Sequence, residues 1–301
     1  MDRDLLAHLP VFLGVARHGS FAAAANELGM SASAVSHAVR TVEERLGAPL
    51  FTRTTRSVAL TEVGRRLNES IGAAFNEVQE AIEQIRSERG QVTGLLRLNV
   101  PQIALPLAIT PVLAELTSRH PQLTVEVSVQ AASTDIVAAG FDAGVRLGGM
   151  IDGDMVVVRL TPPFKAIMVA SPEYLQRHEQ ITTVRDLANH NCIGYRLPTA
   201  GSLYAWEMLD HGQDVAVKVS GTALVNEPAS AKDLALAGIG IAYIFEPFVR
   251  QELADGRLQW LLPESAIEEP GLFLYFPTRA SQAPKLRAFI DAAKDVLRVE
   301  R

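Results

Sequence analysis

The run Phe21-Ala22-Ala23-Ala24-Ala25-Asn26-Glu27-Leu28-Gly29-Met30-Ser31-Ala32-Ser33-Ala34-Val35-Ser36-His37-Ala38-Val39-Arg40 constrains this chain more than any other stretch, because it reads as two short helices joined by a tight turn. The alanine-rich first helix, ending at Leu28, offers at Ala25 a side chain small enough for a second helix to cross it closely. Gly29 permits the left-handed backbone that such a turn uses. Ser31 is a good N-cap, since its hydroxyl can accept a hydrogen bond from an otherwise unpaired amide one turn later. From there Val35, Val39, Val42 and Leu46 recur at spacings of 4, 3 and 4, which predicts an apolar stripe facing the body of the domain. Ser33, Ser36, His37 and Arg40 fall on the opposite face. They are short donors and acceptors with one long cation, suited to base edges and phosphates in a major groove.

An ordinary helical hairpin with a solvated polar face carries the same pattern, so the residues that follow matter. Pro49-Leu50-Phe51-Thr52-Arg53 and Ser57-Val58-Ala59-Leu60-Thr61 read as two short strands around Thr54-Thr55-Arg56. The result is a β-wing with Arg53 and Arg56 at its tip, within reach of backbone phosphate in an adjoining groove. A winged helix-turn-helix then outweighs the plain hairpin.

The net charge of −6 argues against nucleic acid only if its distribution is ignored. Residues 1–60 hold six arginines (Arg3, Arg17, Arg40, Arg45, Arg53, Arg56) against five acids (Asp2, Asp4, Glu27, Glu43, Glu44). Nonspecific affinity depends on cations that reach phosphate, and Arg40, Arg53 and Arg56 are placed to do so.

Residues 62–88 form one helical pattern, with Val63, Leu67, Ile71, Phe75, Val78, Ile82 and Ile85 on a single seam. Such a helix extends about 40 Å. As a long rod between two units it is expected to pair with a second copy rather than fold back on its own domain. Gly90-Gln91-Val92-Thr93-Gly94 follows as breaker and linker.

From Leu95 strands and helices alternate, which predicts mainly parallel sheets with crossover helices. Expected strands are 95–100, 124–130, 143–147, 155–160, 164–170, 215–220, 239–245, 258–262 and 272–276. Helices are expected at 105–118, 135–139, after Ser171, near 228–237, from Glu246 and at 284–298. Thr161-Pro162-Pro163 between two strands suggests a crossing into a second unit.

By its residues the chain is identified as a member of the LysR-type transcriptional regulator family. The resemblance is carried by Phe12 with Gly19-Ser20-Phe21, Ala24-Ala25 with Leu28, Ser33-Ala34-Val35-Ser36, Glu43 with Leu46-Gly47, Leu50-Phe51 with Arg53, and Leu60-Thr61 with Gly64. Further along, Gly140 to Gly148, Ala170-Ser171-Pro172-Glu173-Tyr174-Leu175 and Ala237-Gly238-Ile239-Gly240-Ile241-Ala242 also match family landmarks. The resemblance covers nearly the whole chain and is most specific in the first 65 residues.

It implies an α/β protein: an N-terminal winged helix-turn-helix, a long linker helix, and a two-lobed α/β effector domain resembling periplasmic solute-binding proteins. The expected limits are 1–61 for the DNA-binding domain, 62–89 for the dimerisation helix, 90–163 with 268–301 for lobe I, and 164–267 for lobe II. It implies as partners double-stranded promoter or operator DNA, a small-molecule effector, RNA polymerase, and further copies of the chain in a homodimer or homotetramer, all in the cytoplasm. No cofactor is expected. The DNA-contacting residues are expected to be Ser31, Ser33, Ala34, Ser36, His37, Arg40, Arg53, Thr54 and Arg56.

In open α/β sheets ligands sit beyond the carboxyl ends of strands, where helix N-termini offer free amides. That places Pro101, Gln102, Gln130 and Arg146 in lobe I, and Tyr195, Arg196, Asn226, Glu227 and Phe245 in lobe II, as effector-contacting candidates. Two arginines on one cleft favour an anion, although an ion pair with Asp142 is an equal alternative for Arg146. Many family members place a serine or threonine after the first strand to hold a carboxylate. Here Pro101-Gln102-Ile103 offers an amide and no hydroxyl, so a larger or more apolar ligand gains weight.

Other classes find little support. The chain has no Gly-x-Ser-x-Gly elbow, no Gly-x-x-x-x-Gly-Lys loop and no His-Glu-x-x-His pair, and is not expected to be an enzyme. Asp152-Gly153-Asp154 reads as a surface turn. Cys192 is alone, which excludes an internal disulfide, and His190 beside it lacks the further ligands a metal needs. The N-terminal stretch, with Asp2, Asp4, His8 and Pro10, does not read as a signal peptide. The longest apolar run, Leu234 to Phe245, spans 12 residues, against the ~20 of a membrane helix.

Overall fold

The computed structural model describes residues 3–53, 58–87, 91–130, 135–137, 139–148, 155–198 and 200–297. Internal contacts divide the chain into two compact units, Met1–Val92 with Val137–Gly140, and Thr93–Ile136 with Phe141–Arg301.

The first unit runs α1 (Arg3–His18), α2 (Phe21–Leu28), α3 (Ala32–Leu46), β1 (Phe51–Arg53), β2 (Val58–Leu60) and α4 (Glu62–Ser87). Its turns follow from capping chemistry. Ser20 Oγ accepts from the Ala23 amide (3.3 Å), and Ser31 Oγ from the Ala34 amide (3.1 Å). Gly29 closes α2 at φ 63°, and the next amide, Met30 N–H, reaches back to the Ala25 carbonyl (2.9 Å). Phe12, Val15, Ala24, Val35, Val39, Val42 and Leu50 are wholly buried in one core, where the Phe51 ring tilts against Phe12 and stands edge-on to Phe21. β1 and β2 pair antiparallel, Phe51 opposite Leu60.

Two expectations change here. Leu46 is not part of the buried stripe: it is 39% exposed, because the last turn of α3 outruns the core, and Ala38 joins Val35, Val39 and Val42 instead. The seam of α4 is also split. Leu67, Ile71 and Phe75 pack on the core of their own unit, whereas Val78 and Ile85, further along, are 57% and 59% exposed.

Among the described residues the second unit holds a five-stranded sheet, a four-stranded sheet and two separate strand pairs. The chain runs β3 (Gly94–Val100), α5 (Thr110–Arg119), β4 (Leu123–Val129), β5 (Ala143–Leu147) and β6 (Met155–Arg159) before the first crossing. It then forms β7 (Phe164–Ala170), α6 (Pro172–Gln176), β8 (Gly194–Tyr195), β9 (Trp206–Asp210), β10 (Gln213–Val217), β11 (Leu224–Val225) and α7 (Pro228–Leu236). After β12 (Ala242–Phe245), α8 (Arg250–Ala254), β13 (Gln259–Leu261) and β14 (Ile267–Glu269) it returns for β15 (Leu272–Pro277) and α9 (Pro284–Leu297).

The first sheet has the order β4-β3-β5-β15-β6, with β3 parallel to both β4 and β5, and β15 antiparallel to β5 and β6. In the second, β7 is central and antiparallel to β12, β13 and β14. The expectation of mainly parallel pairing therefore holds around β3 and fails around β7. Beside the second sheet, the described parallel pairing is that of β8 with β11, a separate two-stranded pair, and the bridge between Cys192 and Ile241.

Other differences are local. The expected helix 105–118 opens with a π-helical turn, Leu105–Ile109, before α5, where Pro106 and Pro111 each remove an amide from the ordinary ladder. Residues 135–137 form a turn in place of a helix. β9, absent from the sequence reading, pairs with β10 and buries Trp206 and Met208.

The crossings are tightly bound. Thr161-Pro162-Pro163 links β6 to β7, and Pro270-Gly271 links β14 back to β15. Thr161 Oγ1 accepts from the Leu272 amide (2.9 Å), and Arg159 donates to Pro270 O (2.6 Å). Gly271, at φ 95°, has no room for a side chain against the Thr161 and Pro162 carbonyls.

Candidate DNA interface and effector cleft

On α3 the expected polar face is in place. Ser33, His37 and Arg40 are exposed and Ala34 and Ser36 half-buried, opposite buried Val35, Ala38, Val39 and Val42. Ser31 is exposed, but its hydroxyl caps Ala34 and lies 2.9 Å from the Ser33 hydroxyl, so it serves the helix start first. The cations of this unit divide into two groups. Arg17 and His18 both bind Glu27, and Arg45 binds Asp4. Among the described residues nothing pairs with Arg40, which leaves its guanidinium available to phosphate. Arg53 closes β1; its side chain, with Thr54 and Arg56, lies outside the described residues.

The lobe I candidates gather at the carboxyl edge of the first sheet. Arg146, 7% exposed, donates to Asn99 Oδ1 and to Val145 O (both 2.8 Å), and lies 5.9 Å from the Tyr275 ring. Asn99 donates in turn to Gln130 Oε1 (3.4 Å). Asp142, the alternative partner for Arg146, is bound instead by Lys285 (2.9 Å) and the Arg97 amide (2.7 Å). Gln102 follows Pro101 in the turn after β3, and its Oε1 is buried with no hydrogen-bond donor among the described residues. A buried acceptor left so costs about 1–3 kcal/mol. Asn99 and Tyr275 were missed by the sequence reading; the signal for Asn99 was one amide inside the apolar strand Leu96-Arg97-Leu98-Asn99-Val100.

The lobe II candidates also meet at one edge. Tyr195 pairs with Val225 in register, and the Arg196 amide donates to Val225 O (2.7 Å), which brings Asn226 and Glu227 alongside. The Arg196 guanidinium donates to Gly201 O (2.6 Å) and so holds its own loop. Burial, and then the Glu227 charge, push the Tyr195 hydroxyl above its usual pKa. Phe245 ends β12 and stands edge-on to Phe164, 5.3 Å between centroids.

Strand direction relates the two groups. β6 and β15 meet the crossings at the end of the first sheet where β5 also ends, since Leu272 faces Leu147. Phe164, just past the first crossing, sits at the end of the second sheet where β12 terminates. Both candidate groups thus lie on the edges that the crossings join.

Asp152-Gly153-Asp154 lies outside the described residues. The Tyr174 hydroxyl bonds His190 Nδ1 (3.2 Å), and burial pushes the Cys192 thiol up to about 12. No described helix is long and apolar enough to cross a membrane.

Comparison with known proteins gives two family matches: "Bacterial regulatory helix-turn-helix protein, lysR family" over residues 6–65, and "LysR substrate binding domain" over residues 89–298. The HTH-type transcriptional regulator YcaN of Escherichia coli (strain K12) is 36% identical over 289 residues, covering 96% of this chain and 94% of that protein. PgrR, an HTH-type transcriptional regulator of the same organism, is 34% identical over 294 residues, 98% of each chain. The structure of CrgA, a LysR-type transcriptional regulator from Neisseria meningitidis, superposes with a TM-score of 0.62 at 26% identity, covering 96% of this chain and 98% of that one.

Proposed function

The chain belongs to the LysR-type family of transcriptional regulators, and from that premise we propose how its own residues divide the work. It is a DNA-binding regulator with an effector-binding domain. Ser33, Ala34, Ser36, His37 and Arg40 enter the major groove, Ser31 fixes the start of their helix, and Arg53, Thr54 and Arg56 of the wing hold phosphate. The observation that carries this reading is the exposed polar face of α3, with Arg40 unpaired among the described residues, directly opposite a fully buried stripe.

The working limits are 1–61, 62–89, 90–163 with 268–301, and 164–267. The exposed Val78, Ile82 and Ile85 of α4 pair with a second copy, in a dimer or a dimer of dimers that acts in the cytoplasm beside RNA polymerase. The chain is not an enzyme. The effector lies between the two sheet edges and touches Pro101, Gln102, Gln130, Arg146, Tyr195, Arg196, Asn226, Glu227 and Phe245. The buried, unsatisfied Gln102 Oε1 favours a ligand that presents an N–H or O–H donor there. Effector binding changes the angle between lobes, and the linker helices pass this on to the spacing of the recognition helices.

The test starts from a duplex selected by the protein from a random-sequence library, and a metabolite found by thermal shift. The metabolite should alter DNA bending by the wild type, while Gln102→Leu abolishes the thermal shift and leaves DNA affinity unchanged. Identical bending with and without the metabolite contradicts the proposed transmission.

A further inference from the structure

The connection Gly47-Ala48-Pro49-Leu50 between α3 and β1 sends its amides to one residue. Glu43, one turn before the end of α3, accepts the Gly47 and Ala48 amides at its backbone carbonyl, the latter at 3.2 Å. Its carboxylate Oε1 accepts the Leu50 amide (2.8 Å) and the Phe51 amide (3.3 Å). Pro49 has no amide to give. The carbonyls run the other way: Thr61 Oγ1 donates to Pro49 O (2.7 Å) and the Thr61 amide to Leu50 O (2.9 Å). The same Thr61 hydroxyl accepts the Gly64 amide (3.0 Å) in the first turn of α4. Gly64 lies so close to the Leu50 carbonyl that any side chain there would overlap it.

We infer that Glu43 positions the wing against the recognition helix, and that residues 47–50 are the joint locking the head of α4 to both. β1 and β2 are three residues each and pair only with one another among the described strands. A two-stranded hairpin has marginal stability of its own, so its orientation is set at its root. That root is gripped by a carboxylate bound to two neighbouring amides, and hydrogen bonds to an ionised acceptor are about twice as strong as neutral ones. The wing's phosphate contacts and the base contacts of α3 therefore keep a fixed spacing, and a displacement of the α4 head carries both. This inference rests on the reading that the wing touches DNA.

The experiment measures hydroxyl-radical footprints and the salt dependence of binding on a duplex selected by the full-length wild type from a random library. Wild type, Glu43→Leu, Glu43→Gln and Glu43→Asp are compared, with circular dichroism to follow unfolding. Glu43→Leu should lose the protected patches flanking the central footprint, bind about ten-fold more weakly, and flatten the log–log salt slope by about one per protomer. Glu43→Gln, whose amide oxygen still accepts both amides, should keep patches and slope. Were Glu43 merely stabilising, the variant would lower the active fraction and leave the slope of the folded molecules unchanged. An unchanged slope in Glu43→Leu, or equal losses in Glu43→Gln, overturns the inference. If Glu43→Leu does not fold, Glu43→Asp, one methylene short of the amides, carries the same reading. A wild-type footprint without flanking patches instead overturns the wing assignment beneath it.

Discussion

Arg40 and Arg146 are the same side chain used in opposite ways. Arg40 stands in solvent on α3, unpaired among the described residues, and Arg146 is buried with its guanidinium spent on Asn99 and the Val145 carbonyl. The contrast extends to the units that hold them. The first leaves its candidate residues in solvent, the polar face of α3 and Val78, Ile82 and Ile85 of α4. The second holds Arg146 and Arg196 in hydrogen bonds beforehand, which lowers the ordering cost of receiving a small ligand, and leaves Gln102 Oε1 unsatisfied among the described residues.

The largest expected effect breaks the open unit. Ile82→Asp with Ile85→Asp places charge on the exposed α4 seam, and light scattering should show the assembly falling to monomer, with at least about 100-fold weaker binding to a palindromic duplex as two half-sites become independent. Next, Arg146→Ala breaks the closed unit. It strands the Asn99 and Val145 acceptors and should cost about 2–4 kcal/mol by denaturant unfolding, while Arg40→Ala should stay within about 0.5 kcal/mol of wild type. Equal losses at the two arginines would erase the contrast. Ser31→Ala removes the cap of α3 and should cost about 1 kcal/mol, with DNA affinity falling less than for Arg40→Ala.

The smallest effect is a pH dependence in the second unit. Burial, then the charge of His178, hold the His190 pKa below its ordinary value, against the opposing pull of Asp186 and Glu179. The folded chain therefore binds fewer protons than the unfolded one. The associated stability is complete above the ordinary histidine pKa, about 6.5, and is lost as pH falls from there through the lower folded value. Thermal midpoints between neutral and mildly acidic pH should decline, and His190→Gln should reduce the decline.

What the sequence revealed divides along the same line. Ser20, Gly29, Ser31 and Gly47 cap helices through bonds spanning a few residues, so the first unit was legible nearly residue by residue. Sequence spacing could not say where the α4 seam passes from its own core at Phe75 to solvent at Val78, because that depends on where the core ends. In the second unit alternation does not give the antiparallel place of β15 between β5 and β6, but the parallel pairing of β3 with β4 and β5 followed from it. The antiparallel partners of β7 did not, since β12, β13 and β14 reach it from far along the chain. β9 was hidden because Trp206 and Met208 alternate across only five positions, and Leu209 after them breaks the polar spacing. Asn99 and Tyr275 reach the Arg146 niche from separate strands, a meeting that periodicity does not encode.

The central claim is that the open face of α3 reads DNA through Arg40. Fluorescence anisotropy on the selected duplex, repeated from about 50 to 200 mM salt for wild type and Arg40→Ala, tests it most directly. The account predicts a steep loss of wild-type affinity with salt, and for Arg40→Ala about ten-fold weaker binding with a slope shallower by about one per protomer. Coincident slopes and affinities for the two proteins would contradict it.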